Sequence, residues 1–132
     1  MLQGNFFTIQ SFNDAYTTYR IALNGSHPIF QAHFAGIPMM PGACIVQIIK
    51  ELASYHFGRD LFVCAVKNMK FLHAINPSEF PEISVRLTFT QQDDEHISIA
   101  AVLHHEDMVF TKSTISGRFT ATASIFQETI IL

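Results

Sequence analysis

The segment His33-Phe34-Ala35-Gly36-Ile37-Pro38-Met39-Met40-Pro41-Gly42 places one imidazole in a loop stiffened by two prolines and two glycines. The loop ends where a helical pattern begins. Pro41 suits the start of a helix, because its φ is already fixed and its missing N–H would have gone unpaired there. Gly42 lets a ligand approach the backbone closely. The free N–H groups of the first turn carry roughly half a positive charge and suit a carbonyl oxygen or an anion. An imidazole base beside such donors is the minimum equipment for proton chemistry next to a carbonyl.

A helix from Pro41 to about Phe57 must hold that loop. Ile45, Ile48, Ile49, Leu52 and His56 follow its 3.6-residue period, and Ala43, Val46 and Ala53 make it apolar on nearly every side. Gly58 supplies a C-terminal stop. Before the helix, Tyr19, Ile21 and Leu23 alternate with polar or small residues as a short half-buried strand. After it, the nearly continuous apolar run Leu61 to Val66 reads as a central strand. Ile83, Val85, Leu87 and Phe89 alternate with polar residues, as do Ile97, Ile99, Ala101 and Leu103 after the turn Gln92-Asp93-Asp94-Glu95. A last strand begins near Met108 and runs toward Thr120. Successive hairpins predict an antiparallel meander. One buried helix against it makes an α+β domain.

The chain has 132 residues, which predicts a single domain spanning 1–132. A net charge of −3, with no basic run interleaved with aromatics, gives no case for nucleic acid. Met1-Leu2-Gln3-Gly4-Asn5 does not read as a signal peptide, and no apolar stretch reaches spanning length, so a cytoplasmic setting without membrane is expected. Cys44 and Cys64 lie in apolar runs and read as buried free thiols of a reducing compartment. His104 and His105 are neighbours on a strand end and point to opposite faces, so they make a poor metal pair. No Cys/His spacing resembles a zinc site, and neither metal nor cofactor is expected. His27 and His56 read as structural or solvent-facing.

His33-Phe34-x-Gly36-x-Pro38-x-Met40-Pro41-Gly42 resembles the signature of the β-hydroxyacyl-acyl carrier protein dehydratases of fatty acid synthesis. Lys70-Phe71 followed by Asn76-Pro77 extends the likeness, which covers residues 27 to 90. The resemblance implies a hot-dog fold, in which a curved antiparallel sheet wraps one long central helix. It implies that His33 removes the proton α to a thioester carbonyl and that the Gly42 N–H receives the carbonyl oxygen. Phe34, Met40 and Pro41 would line the substrate site, and Met39 with Met40 and Phe34 an acyl tunnel, although Met and Phe more often fill core. It also implies a homodimer or dimer-based oligomer, with His33 of one chain facing the helix of the other. The substrate would be a thioester of acyl carrier protein or coenzyme A. An acidic carrier would dock on basic residues, for which Arg59, Lys67, Lys70 and Arg86 are candidates.

One position departs from the family pattern. The helix carboxylate that expels the β-hydroxyl falls fourteen residues after the histidine, and that residue is Gln47. An amide hydrogen-bonds a hydroxyl but donates no full proton at neutral pH. Glu51, one turn further on the same face, either serves as the acid or is an exposed helix charge facing Lys50 or Arg59. A third arrangement lets His33 carry both proton transfers while Gln47 positions the substrate. Three function classes follow: a (3R)-hydroxyacyl-thioester dehydratase of fatty acid or polyene-type synthesis, a hot-dog acyl thioesterase, and a non-catalytic acyl-thioester-binding subunit.

Overall fold

A computed structural model describes residues 1–33 and 39–120. The elements in chain order are β1 (Phe7–Phe12), β2 (Thr18–Leu23), α1 (Pro28–His33), α2 (Gly42–Phe57), β3 (Leu61–Phe71), β4 (Glu82–Gln91), β5 (His96–His105) and β6 (Met108–Phe119). The six strands form one antiparallel sheet in the order β1-β2-β4-β5-β6-β3, curved against α2. This is the hot-dog arrangement.

The alternation read from the sequence fixes which face of each strand meets the helix. Ile83, Val85 and Leu87 of β4 are buried, as are Ile97, Ile99, Ala101 and Leu103 of β5. Register carries them across the sheet: Ile21 pairs with Ile83, Val85 with Leu103, Ile99 with Ile115. Ile45, Ile48, Ile49 and Leu52 of α2 complete the same core. The β4–β5 turn is held by Asp93, whose Oδ1 accepts the N–H of Glu95 and of His96, each at 2.8 Å. Those bonds, that of Glu95 first, hold its carboxyl below the usual range.

Four features differ from the sequence expectations. β1 was not foreseen: its single alternating pair, Phe7 and Ile9, is too short to stand out. His33 ends the six-residue helix α1 instead of lying in a loop; one and a half turns without an acidic first turn leave little periodic signal. β3 runs to Phe71 and is the outermost strand of this chain's sheet, not a central one. Leu61 is buried, but other apolar residues of the strand are exposed, Phe62 by 53% and Val66 by 46%. Cys64 is exposed for the same reason, whereas Cys44 is buried as expected; both are free thiols.

Candidate functional site

The start of α2 is built as the sequence implies. Pro41 is the N-cap, with φ −68° and ψ 151°, and no side chain caps the helix. The N–H groups of Cys44 and Ile45 both donate to the Pro41 carbonyl, at 3.0 and 3.3 Å. Those of Gly42 and Ala43 have no partner among the described residues. Two donors with the positive end of a four-turn helix behind them are therefore available. Gly58 closes the other end with φ 64°.

Gly42 lies in a groove of about 350 Å³ with Met40, Pro41, Phe71, Leu72 and His73. Met40 donates its N–H to the Ile75 carbonyl at 2.9 Å, tying the helix entry to the chain that follows β3. The Phe71 ring covers the Gly42 backbone, and a Cβ there would stand 3.2 Å from Phe71 Cζ. Where the sequence suggests a ligand beside Gly42, the neighbour in this chain is its own Phe71. The groove brings together three of the expected residues, Met40, Pro41 and Gly42. Phe34 lies outside the described residues. His73 brings an imidazole to this groove, and the sequence does not single it out. Nothing local distinguishes it, because it arrives through the pairing of β3 with β6, where its N–H and that of Leu72 donate to the Phe110 carbonyl.

Gln47 and Glu51 stand elsewhere in the chain, on the wall of a separate cavity of about 540 Å³ shared with Lys50, Ser54, Tyr55 and Arg59. Glu51 is 8% exposed, so it is not an exposed helix charge. Its Oε2 accepts the N–H of Leu2 at 2.6 Å and its Oε1 that of Gln3 at 2.8 Å. Gln47 Nε2 donates to Glu51 Oε2 at 2.7 Å. A carboxylate with three charge-assisted bonds is well satisfied where an unpaired one would be costly. Sequence spacing placed Glu51 beside Gln47 correctly; its backbone partners, nearly fifty residues away, are a tertiary contact.

His27 and His56 both have structural partners. His27 Nδ1 accepts the Ile29 N–H at 3.1 Å beneath an edge-on contact with Phe6. His56 Nδ1 is 2.8 Å from the Tyr16 carbonyl and must donate to it, since a carbonyl only accepts. Burial pushes the Cys44 thiol up, which makes it a poor nucleophile. Of the four basic candidates, Lys70 and Arg86 share one cross-sheet row through Lys112 and Val102. Arg59 instead lies over the Phe119 ring at 4.4 Å. Among the described residues no group of three His, Cys, Asp or Glu could hold a metal ion, and no helix is long and apolar enough to cross a membrane.

A family model described as ApeI dehydratase, of the ApeI-like group, matches residues 9–112. A 3-hydroxyacyl-[acyl-carrier-protein] dehydratase FabZ from Lactiplantibacillus plantarum is 26% identical over 93 residues, 65% of this chain and 62% of the relative. A second FabZ, from Jannaschia, is 29% identical over 89 residues, 61% of this chain and 54% of the relative. The chain thus spans about six-tenths of the length of these curated relatives. The dehydratase heterocomplex ApeI:P from Xenorhabdus doucetiae has a similar fold, with a TM-score of 0.58 at 15% identity, over 83% of this chain and 96% of that one. A hypothetical thioesterase with coenzyme A from Streptococcus pneumoniae is equally similar in fold. Its TM-score is 0.61 at 12% identity, over 89% of this chain and 88% of that one. The matched residues run from β1 into β6 and include the groove, Gln47 and Glu51, so this chain belongs to the ApeI-like dehydratase family.

Proposed function

We propose that the chain is a (3R)-hydroxyacyl-thioester dehydratase, acting on a thioester of acyl carrier protein or coenzyme A. The observation that carries this reading is the pair of N–H groups at Gly42 and Ala43 that have no partner among the described residues, beside an apolar groove and following the His33 signature. The thioester oxygen accepts from this helix start, where enolate-like charge develops. His33 takes the α-proton. The electron pair forms the Cα–Cβ double bond and the Cβ–O bond breaks. With Gln47 in the place of the acid, the imidazolium returns the same proton to the departing oxygen, which leaves as water.

A second copy of the chain completes this site. In one chain Gln47 and the Gly42 groove belong to different cavities, and among the described residues β3 is an eleven-residue edge strand with Phe62 and Val66 exposed. An unpaired apolar edge of that length invites pairing with another strand. Pairing β3 with the β3 of a second copy makes it the central strand that its composition suggested. The α2 stripe of Ala43, Val46, Gln47, Lys50 and Ser54, which the sheet leaves incompletely buried, supports the same reading.

One observation favours thioester hydrolysis instead: Gln47 offers no proton, and a departing thiolate needs a dedicated acid less than hydroxide does. The deciding experiment follows hydration of crotonyl and longer enoyl thioesters by loss of enoyl absorbance, with free thiol measured in parallel and His33→Ala as control. Absorbance loss that vanishes in the variant, without thiol release, supports the dehydratase. Thiol release supports the thioesterase. A folded protein that binds acyl carrier protein and turns over neither substrate is a binding subunit.

A further inference from the structure

We infer that Glu51 is a positioning residue that fixes which end of the Gln47 amide faces the substrate, an inference that rests on the dehydratase reading above. Glu51 receives three donors: the N–H groups of Leu2 and Gln3 and the Nε2 of Gln47, at 2.6, 2.8 and 2.7 Å. A carboxylate only accepts, so the amide must turn its NH₂ toward Glu51. The Gln47 Oε1 is then on the far side of the amide carbon, where it accepts from no described residue. Reversing the amide would set Oε1 against a carboxylate oxygen at hydrogen-bond distance and lose a charge-assisted bond.

The consequence is chemical. Gln47 meets the substrate as an acceptor, and the donor opposite it is the β-hydroxyl O–H. Holding that O–H turns the oxygen's lone pairs away from Gln47 and toward the imidazolium. The single proton removed from Cα by His33 then has a defined acceptor: the C–O bond breaks, the oxygen takes that proton, and water leaves with no other acid involved. The carboxylate acts one residue removed from the chemistry, and the backbone of residues 2 and 3 holds it in place.

Glu51→Gln tests this, because residue 51 can then donate to Gln47 Oε1 and let the amide reverse. In the hydration assay with crotonyl thioester, Glu51→Gln should lower kcat by about ten- to a hundredfold with KM within about threefold. Glu51→Asp, which keeps an acceptor, should recover part of the loss. In a Gln47→Ala background Glu51→Gln should leave kcat unchanged, since there is no amide left to orient. The same loss in both backgrounds would overturn the inference, as would an unaltered kcat in a folded Glu51→Gln. Side-chain amide NMR separates this from the reaction itself. In the intact protein the Gln47 NH₂ signals should be shifted and slow to exchange, and they should lose both properties in Glu51→Gln. Those signals in a protein that hydrates no enoyl thioester would refute the dehydratase reading and retain the contact; their absence would refute the contact whatever the activity.

Discussion

Replacing Glu51 by Ala separates a buried clamp from a surface charge. The carboxylate holds two backbone N–H groups of the segment before β1 and one side-chain amide. Hydrogen bonds to charged groups contribute about 1.5–3 kcal/mol each, so the two backbone bonds alone amount to roughly 3–6 kcal/mol before relaxation. Leu2 and Gln3 are only half-buried, and water can replace part of this once the segment lifts. The expected net loss is about 2–3 kcal/mol, or a fall in Tm of roughly 5–12 °C for a domain of this size. Urea unfolding gives the first number, and amide exchange at Leu2 and Gln3 locates it, since both should lose protection while β4 and β5 keep theirs. An exposed Glu paired with Lys50 or Arg59 would contribute under about 0.5 kcal/mol and fade with salt. A Glu51→Ala protein that melts with the parent, or whose Leu2 and Gln3 amides exchange at the parental rate, refutes the clamp.

Gly42→Ala should cost about 1 kcal/mol or less, and that cost should disappear in a Phe71→Ala background, because the tight contact of the new Cβ is with the Phe71 ring at 3.2 Å, Met69 Sδ standing at an ordinary 3.9 Å; urea unfolding of the four proteins closes the cycle. Tyr19→Phe should raise stability at neutral pH by up to about 1 kcal/mol, since the Tyr19 hydroxyl is buried without a partner among the described residues. Burial, followed by the neighbouring Tyr55, pushes the Tyr19 phenol up to about 12 from 10.0. Its neutral form is therefore favoured in the fold: that stability is present below pH 10 and is lost as pH climbs toward 12, and thermal melts across this range should show a steeper decline for the parent than for Tyr19→Phe. Val66→Lys on the outer edge of β3 should dissociate a β3-paired dimer while leaving the far-ultraviolet spectrum intact, and sedimentation that shows the same species with and without the substitution counts against that pairing.

What could be read in advance was what local chemistry governs. Pro41 and Gly58 bound α2 because one has its φ fixed and the other reaches a positive φ without strain. β4 and β5 were legible because a strand with one buried face must alternate. The place of Gln47 one turn from Glu51 also follows from short-range spacing.

Strand order was decided only by the tertiary structure. Whether an apolar strand is central or outermost depends on which distant segment pairs with it, and β6 takes one side of β3 while none of the described residues pairs with the other. The exposure of Cys64 and Phe62 follows from that single fact. His73 reached the groove, and Glu51 its clamp, by the same kind of contact, through backbone groups that carry no sequence signal of their own. The sequence determined which residues could carry the chemistry, because side-chain type is local. The fold decided which of them meet, because pairing across long separations depends on the whole packed core.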